Sequence, residues 1–209
     1  MEPYWSYEDV GVFFFILVVL ATLVRLGVRT HLLHSSDLVA PSLTLQSSIV
    51  IFLGLALYAT LKWRHHKPVI APLGWTAPSV HHAVIAVISG VALALGIALV
   101  SHAQHRVMPM IPTIEFLALG LLLGPILEES VFRGCLLPVV AHTCGNAVSI
   151  VATAVLFAAF HAPSDFMHWA WFITTGIAYG WVRLASKTTT ASAFMHATCN
   201  LALFLAAKF

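Results

Sequence analysis

Apolar residues in this chain fall into long blocks, about Val10 to Val28, Leu43 to Leu61, His82 to Val100, Thr113 to Val140, Ala147 to Phe160, Phe166 to Leu184 and Thr190 to Ala207. Several reach the ~20 residues that cross a hydrocarbon core as a helix. None alternates with a strand's period of two, which argues against a barrel. A segment inside lipid must satisfy its own backbone hydrogen bonds, so each block predicts a helix. Between the blocks lie breakers: the polar connector Lys62 to Ser79 with three prolines, the turn signal Met108-Pro109-Met110-Ile111-Pro112, and Pro163-Ser164-Asp165. Asp165 is placed to cap the helix that follows it. Gly120, Gly124, Ala154, Ala158, Ala159, Gly176 and Gly180 recur at helical spacing and predict close helix contacts. The expected fold class is therefore all-α, a polytopic transmembrane helical bundle of about seven membrane helices. A single membrane domain, residues 1–209, is expected, with N-terminal spans and connectors over 1–112 and a polar-bearing core over 113–209.

Composition sharpens this reading. The chain is 60% hydrophobic and 9% charged, where soluble domains average about 25% charged. So few charges cannot cover a water-facing surface, and a multi-pass integral membrane protein with the lipid bilayer as its partner is expected. The formal charge of +2 comes with no basic run, so no nucleic-acid partner is expected. Cys135, Cys144 and Cys199 are odd in number and form no Cys-x-x-Cys pair, so they read as small apolar filler. The leader Met1 to Asp9 carries Glu2, Glu8 and Asp9 and no basic residue, unlike a cleavable signal peptide. Orientation stays open, because Lys62, Arg64, Lys67, Arg183 and Lys187 on one side balance Arg25, Arg29, Arg106 and Lys208 on the other. Oligomeric state is also open.

Against this background three polar sets stand out. In Glu128-Glu129-Ser130-Val131-Phe132-Arg133, each charge would cost about 2.5–3.5 kcal/mol at mid-membrane unless it faces inward and pairs. Glu129 and Arg133, four apart, share a helix face and can form an ion pair. Glu128 is turned ~100° away and is free to point into a cavity. The plainer alternative is a charged helix end at the water interface, broken by Gly124-Pro125. His161 closes an apolar run just before Pro163. His196 and Asn200, four apart in another apolar run, line one face, either as helix–helix glue or as part of a site. Together the sets supply a carboxylate, two imidazoles and a carboxamide. A carboxylate with an imidazole can deprotonate water, and a histidine with an asparagine can donate to an oxyanion.

The ordered set Glu128-Glu129-x-x-x-Arg133, Phe157-x-x-x-His161 and His196-x-x-x-Asn200, on successive membrane helices, resembles the CAAX-processing and bacteriocin-processing (CPBP, or Abi) intramembrane peptidases, which include the type II CAAX prenyl endopeptidases. The resemblance spans roughly Thr113 to Phe209. It implies an intramembrane endopeptidase acting on a peptide or prenylated-protein substrate, with eight membrane helices expected for a prenyl-endopeptidase relative where the apolar blocks give seven. It further implies Glu128 as general base, His161 as its partner, His196 and Asn200 as oxyanion donors, and Glu129 and Arg133 as supporting residues. Catalysis without a metal cofactor is expected. The alternatives are a zinc-dependent peptidase using Glu128, His161 and His196, and a non-catalytic membrane scaffold or bacteriocin-immunity protein. His-Glu-x-x-His, Gly-x-Gly-Asp and Gly-x-Ser-x-Gly motifs are absent from the sequence.

Overall fold

The structure is a computed structural model that describes residues 3–32, 41–64, 70–103 and 116–208. Every regular element among them is helical. We label these α1 (Tyr7–Leu32), α2 (Pro41–Arg64), α3 (Val80–Ala103), α4 (residues 116–160), α5 (Phe166–Ser186) and α6 (Thr189–Lys208). The expected turn over Met108 to Pro112 and the first residues of the Thr113 block lie outside the described residues.

The chain separates into two compact units, Trp5–Pro68 and a second formed by Met1–Tyr4 with Val69–Phe209. In the first unit, α1 packs on α2. Its N-terminus is closed by Ser6 and Asp9, each side chain accepting from the other's backbone N–H at 3.3 and 2.8 Å, a capping box that satisfies two otherwise orphaned donors. The second unit contains α3 as well as the polar-bearing helices, so packing groups α3 with the C-terminal half rather than with the other N-terminal spans. The reason is a close crossing of α3 on α6. At Gly90 a Cβ would come within 2.6 Å of the Met195 carbonyl oxygen, so only glycine lets the two backbones approach this far.

Helix α4 is irregular in a way that matters for the site. Two π-helical stretches, Phe116–Leu123 and Ser130–Leu136, flank the α-helical turn Gly124–Glu129. Each stretch ends two residues before a proline, Pro125 and Pro138. A proline cannot donate to the i−4 carbonyl and its ring crowds that carbonyl, so the ladder shifts register there. Further on, Leu137–Phe160 breaks at Gly145, where φ is 81° and ψ 167°. Such a backbone is open essentially to glycine alone. The break is a reversal: the Phe132 and Phe157 rings lie 5.3 Å apart, which a straight helix over that span could not allow. α4 thus doubles back as two limbs. No atom would obstruct a Cβ at Gly145, so Gly145→Ala tests conformation alone. Thermal unfolding in detergent is expected to show a loss of about 1–3 kcal/mol.

The second limb packs on α5 at Gly176, whose Cβ would sit 2.8 Å from the Ala154 Cα. The Pro163-Ser164-Asp165 turn joins them, and Asp165 caps α5 as expected, accepting from the His168 N–H at 3.1 Å.

By length and hydropathy, three stretches among the described residues can cross a membrane: Val80–Ala103, Leu117–Phe160 and Thr189–Ala207. That is fewer than the seven expected from apolar blocks. Part of the difference is physical. Leu117–Phe160 counts once although it folds back on itself, and α5 carries His168, three tryptophans, Tyr179 and Arg183 among its apolar residues.

Candidate active site

Glu128 and Glu129 stand on the short turn between the two π stretches, and adjacent positions on a helix face different ways. Glu129 faces inward and is fully buried. Its Oε1 accepts from Arg133 Nη1 and from His196 Nδ1, both at 3.0 Å, and its Oε2 accepts from the Ser192 hydroxyl. Arg133, also fully buried, sends Nη2 to the Gly176 carbonyl oxygen at 3.0 Å. Its guanidinium lies 4.6 Å from the Phe157 ring centroid and 5.3 Å from that of Tyr179. The ion pair expected from the i, i+4 spacing is thus present, and it reaches helices α5 and α6 as well. A buried pair is tolerable only when its remaining lone pairs and protons are satisfied, which Ser192, His196 and Gly176 accomplish for most of them.

Glu128 faces elsewhere. Its Oε2 is buried with no hydrogen-bond donor among the described residues. Opposite it stands His161 Nε2 at 3.6 Å, too far for a direct hydrogen bond. The other ring nitrogen of His161 lies 2.8 Å from the Phe157 carbonyl oxygen. A carbonyl can only accept, so Nδ1 carries the proton, and a neutral His161 turns the lone pair of Nε2 toward the carboxylate. The ring is held flat against Phe172, 4.2 Å away and inclined by 23°. Position, tautomer and tilt of this imidazole are therefore all set by protein groups.

His196 is oriented by the same logic. A carboxylate accepts, so Nδ1–H of His196 donates to Glu129, and the ring stacks on Tyr179 at 4.7 Å. Both imidazoles touch the ring of Phe157, which stands between the two clusters. Asn200, one turn along α6, donates from Nδ2 to the Gly120 carbonyl oxygen at 2.8 Å. The face shared by His196 and Asn200 therefore meets α4 at two levels, the imidazole at the glutamate turn and the carboxamide at the first π stretch.

Of the residues singled out in the sequence, Glu129, Arg133 and His196 form one buried network and Glu128 with His161 a second, adjacent pair. Asn200 joins α6 to α4. Among the described residues, no three His, Cys, Asp or Glu side chains are gathered where they could hold a metal ion.

Several partners escaped the sequence reading. Ser192 is one turn before His196 on the same face, and that spacing was available as a signal. Tyr179 and Phe172 each stack on a site histidine, a role that no spacing in the sequence signals. Arg183, counted as a loop cation, is buried at 1% exposure with Nε donating to Thr189 Oγ1 at 3.1 Å. Trp75 donates from Nε1 to the Ser130 hydroxyl at 2.9 Å, a contact between residues 55 apart in sequence. Cys135 and Cys199 are buried as expected of filler, while Cys144, beside the Gly145 reversal, is exposed.

Comparison with known proteins agrees with the resemblance carried by the motifs. No curated protein and no solved structure matches the chain. A family described as type II CAAX prenyl endopeptidase Rce1-like matches residues 110–202, a little under half of the chain. The matched stretch includes Glu128, Glu129, Arg133, His161, His196 and Asn200 and excludes α1, α2 and α3. Over this stretch, which carries the whole candidate site, the chain is similar to the type II CAAX prenyl endopeptidase Rce1-like family.

Proposed function

We propose that this protein is an intramembrane endopeptidase that cleaves a peptide bond with water activated by Glu128 and His161, without a metal cofactor. One observation carries the reading: a buried carboxylate oxygen and His161 Nε2, which holds a lone pair when the ring is neutral, face each other across 3.6 Å. Two acceptors so placed call for a donor of two protons, and water is such a donor. Held by both, its oxygen is the nucleophile. Glu128 takes a proton as the O–C bond forms, and delivers it to the leaving nitrogen as the C–N bond breaks.

Charge that develops on the former carbonyl oxygen falls to α6. Asn200 has a second N–H beyond the one given to Gly120. His196 already donates Nδ1–H to Glu129, so donating from Nε2 as well makes it an imidazolium, with Glu129 as counter-charge. Glu129 itself is already held by three donors, one of them the Arg133 cation, and is unsuited to deprotonate water. The proposal includes seven membrane passes, in which the two limbs of α4 cross separately, and a peptide or prenylated-protein substrate.

The test is cleavage of quenched fluorescent peptides, prenylated and unmodified, by the purified chain in detergent. Hydrolysis of at least one is expected, unchanged by chelation. His161→Ala, which removes one of the two acceptors, is expected to lower kcat by about 100-fold. A chain that binds but never cleaves either peptide would make it a scaffold, and loss of cleavage on chelation would restore the zinc mechanism.

A further inference from the structure

The turn over residues 70–76 lies outside the family-matched stretch, yet it touches both helices that carry the site. On α6, the Thr189 N–H donates to the Gly74 carbonyl oxygen at 2.7 Å, and the Thr189 hydroxyl donates to that of Leu73. On α4, the Leu73 carbonyl oxygen lies over Gly134, where a Cβ would approach it to 3.0 Å. Gly74 holds a φ of 81°, and a side chain there would meet Arg183 and Thr189 at 2.8 Å, so this tight seat requires glycine. The last anchor is the indole of Trp75, whose Nε1–H donates to Ser130 Oγ at 2.9 Å.

Ser130 follows the two glutamates directly and opens the second π stretch. Its hydroxyl donates to the Ile126 carbonyl oxygen at 2.7 Å, and that oxygen also accepts the Ser130 backbone N–H. A relay from Trp75 Nε1–H to Ser130 Oγ–H to Ile126 O therefore spans the junction where the α turn Gly124–Glu129 gives way to π geometry. The register at this junction sets the angle between Glu128 and the Glu129–Arg133 pair. Thr189, at the other end of the strap, opens the helix that presents Ser192 and His196.

We propose that Trp75 is a positioning residue. Through Ser130 it holds the α-to-π junction, and the 70–76 strap locks the glutamate turn in register with the histidine helix. The kinetic consequence rests on the peptidase reading; the structural one does not.

The test uses the full chain in detergent with Trp75→Phe, which keeps an aromatic ring but removes the N–H, with Ser130→Ala, and with the double variant. Each single change is expected to lower kcat about ten-fold at unchanged KM, the rate equivalent of one hydrogen bond. The double variant is expected to be no slower than the worse single one, because both cut the same relay. Backbone amides over 126–134 are expected to exchange hydrogen faster in Trp75→Phe while those of α5 do not change. Losses that multiply in the double variant, or a kcat within two-fold of the parent, would overturn the proposal. If the parent cleaves nothing, the peptidase reading fails by itself, and unchanged exchange over 126–134 would then reject the strap.

Discussion

Glu128→Gln is expected to leave the chain folded and to reduce peptide cleavage by about 100-fold or more, the range of a lost general base. The substitution is nearly isosteric, and it removes no hydrogen bond, because Glu128 Oε2 receives none among the described residues. What it removes is proton affinity: an amide oxygen still accepts from water but does not take its proton. Folding should therefore be untouched and KM little changed, with the loss confined to kcat. The measurement is single-turnover cleavage, with thermal unfolding as control. A variant that cleaves at the parental rate would take Glu128 out of the reaction, and one that unfolds would assign it to the scaffold.

Arg133→Met is expected to have the largest effect on stability, about 3–5 kcal/mol, by removing one partner of a fully buried pair. Three things are lost at once. Glu129 keeps only His196 and Ser192 against its charge, the Gly176 carbonyl loses its donor, and the cation leaves the faces of Phe157 and Tyr179. Arg133→Lys should recover little, because one ammonium cannot reproduce two divergent N–H bonds in fixed planar geometry. Glu129→Gln combined with Arg133→Met should unfold at a higher temperature than Arg133→Met alone, since no uncompensated charge is then left inside. Melting curves of the purified variants check the order. A double variant less stable than the single one would mean that the network stands on something other than charge compensation.

What could be read from the sequence was local. Apolar blocks gave helices, Pro163-Ser164-Asp165 gave a capped turn, and the four-residue step from Glu129 to Arg133 gave an ion pair, since each depends on residues within one or two turns. Opposite facings for Glu128 and Glu129 followed from helical rotation, although the π stretches beside them did not. Those depend on how Pro125 and Pro138 are accommodated, which no periodicity reports. Partners distant in the chain were also hidden: Ser192 for Glu129, Gly120 for Asn200, and Trp75 for Ser130 are side-chain choices made only after the helices pack. Arg183 misled for a related reason. A cation near a helix end ordinarily reaches for water, and only the strap over Thr189 shows why this one is buried.

The second limb of α4, residues 146–160, has one further physical implication. At 1.5 Å per residue it measures ~22 Å, well short of a hydrocarbon layer of ~30 Å. If, as proposed, the two limbs of α4 cross separately, a Gly145 end held at one membrane surface places His161 several ångströms beneath the other. Acyl chains beside it must either shorten or yield to a dimple of headgroups, and each ångström of mismatch carries a modest cost. Such a dimple would bring solvent down to the imidazole from one leaflet only, and bilayers of shorter lipids should suit the protein better than thick ones.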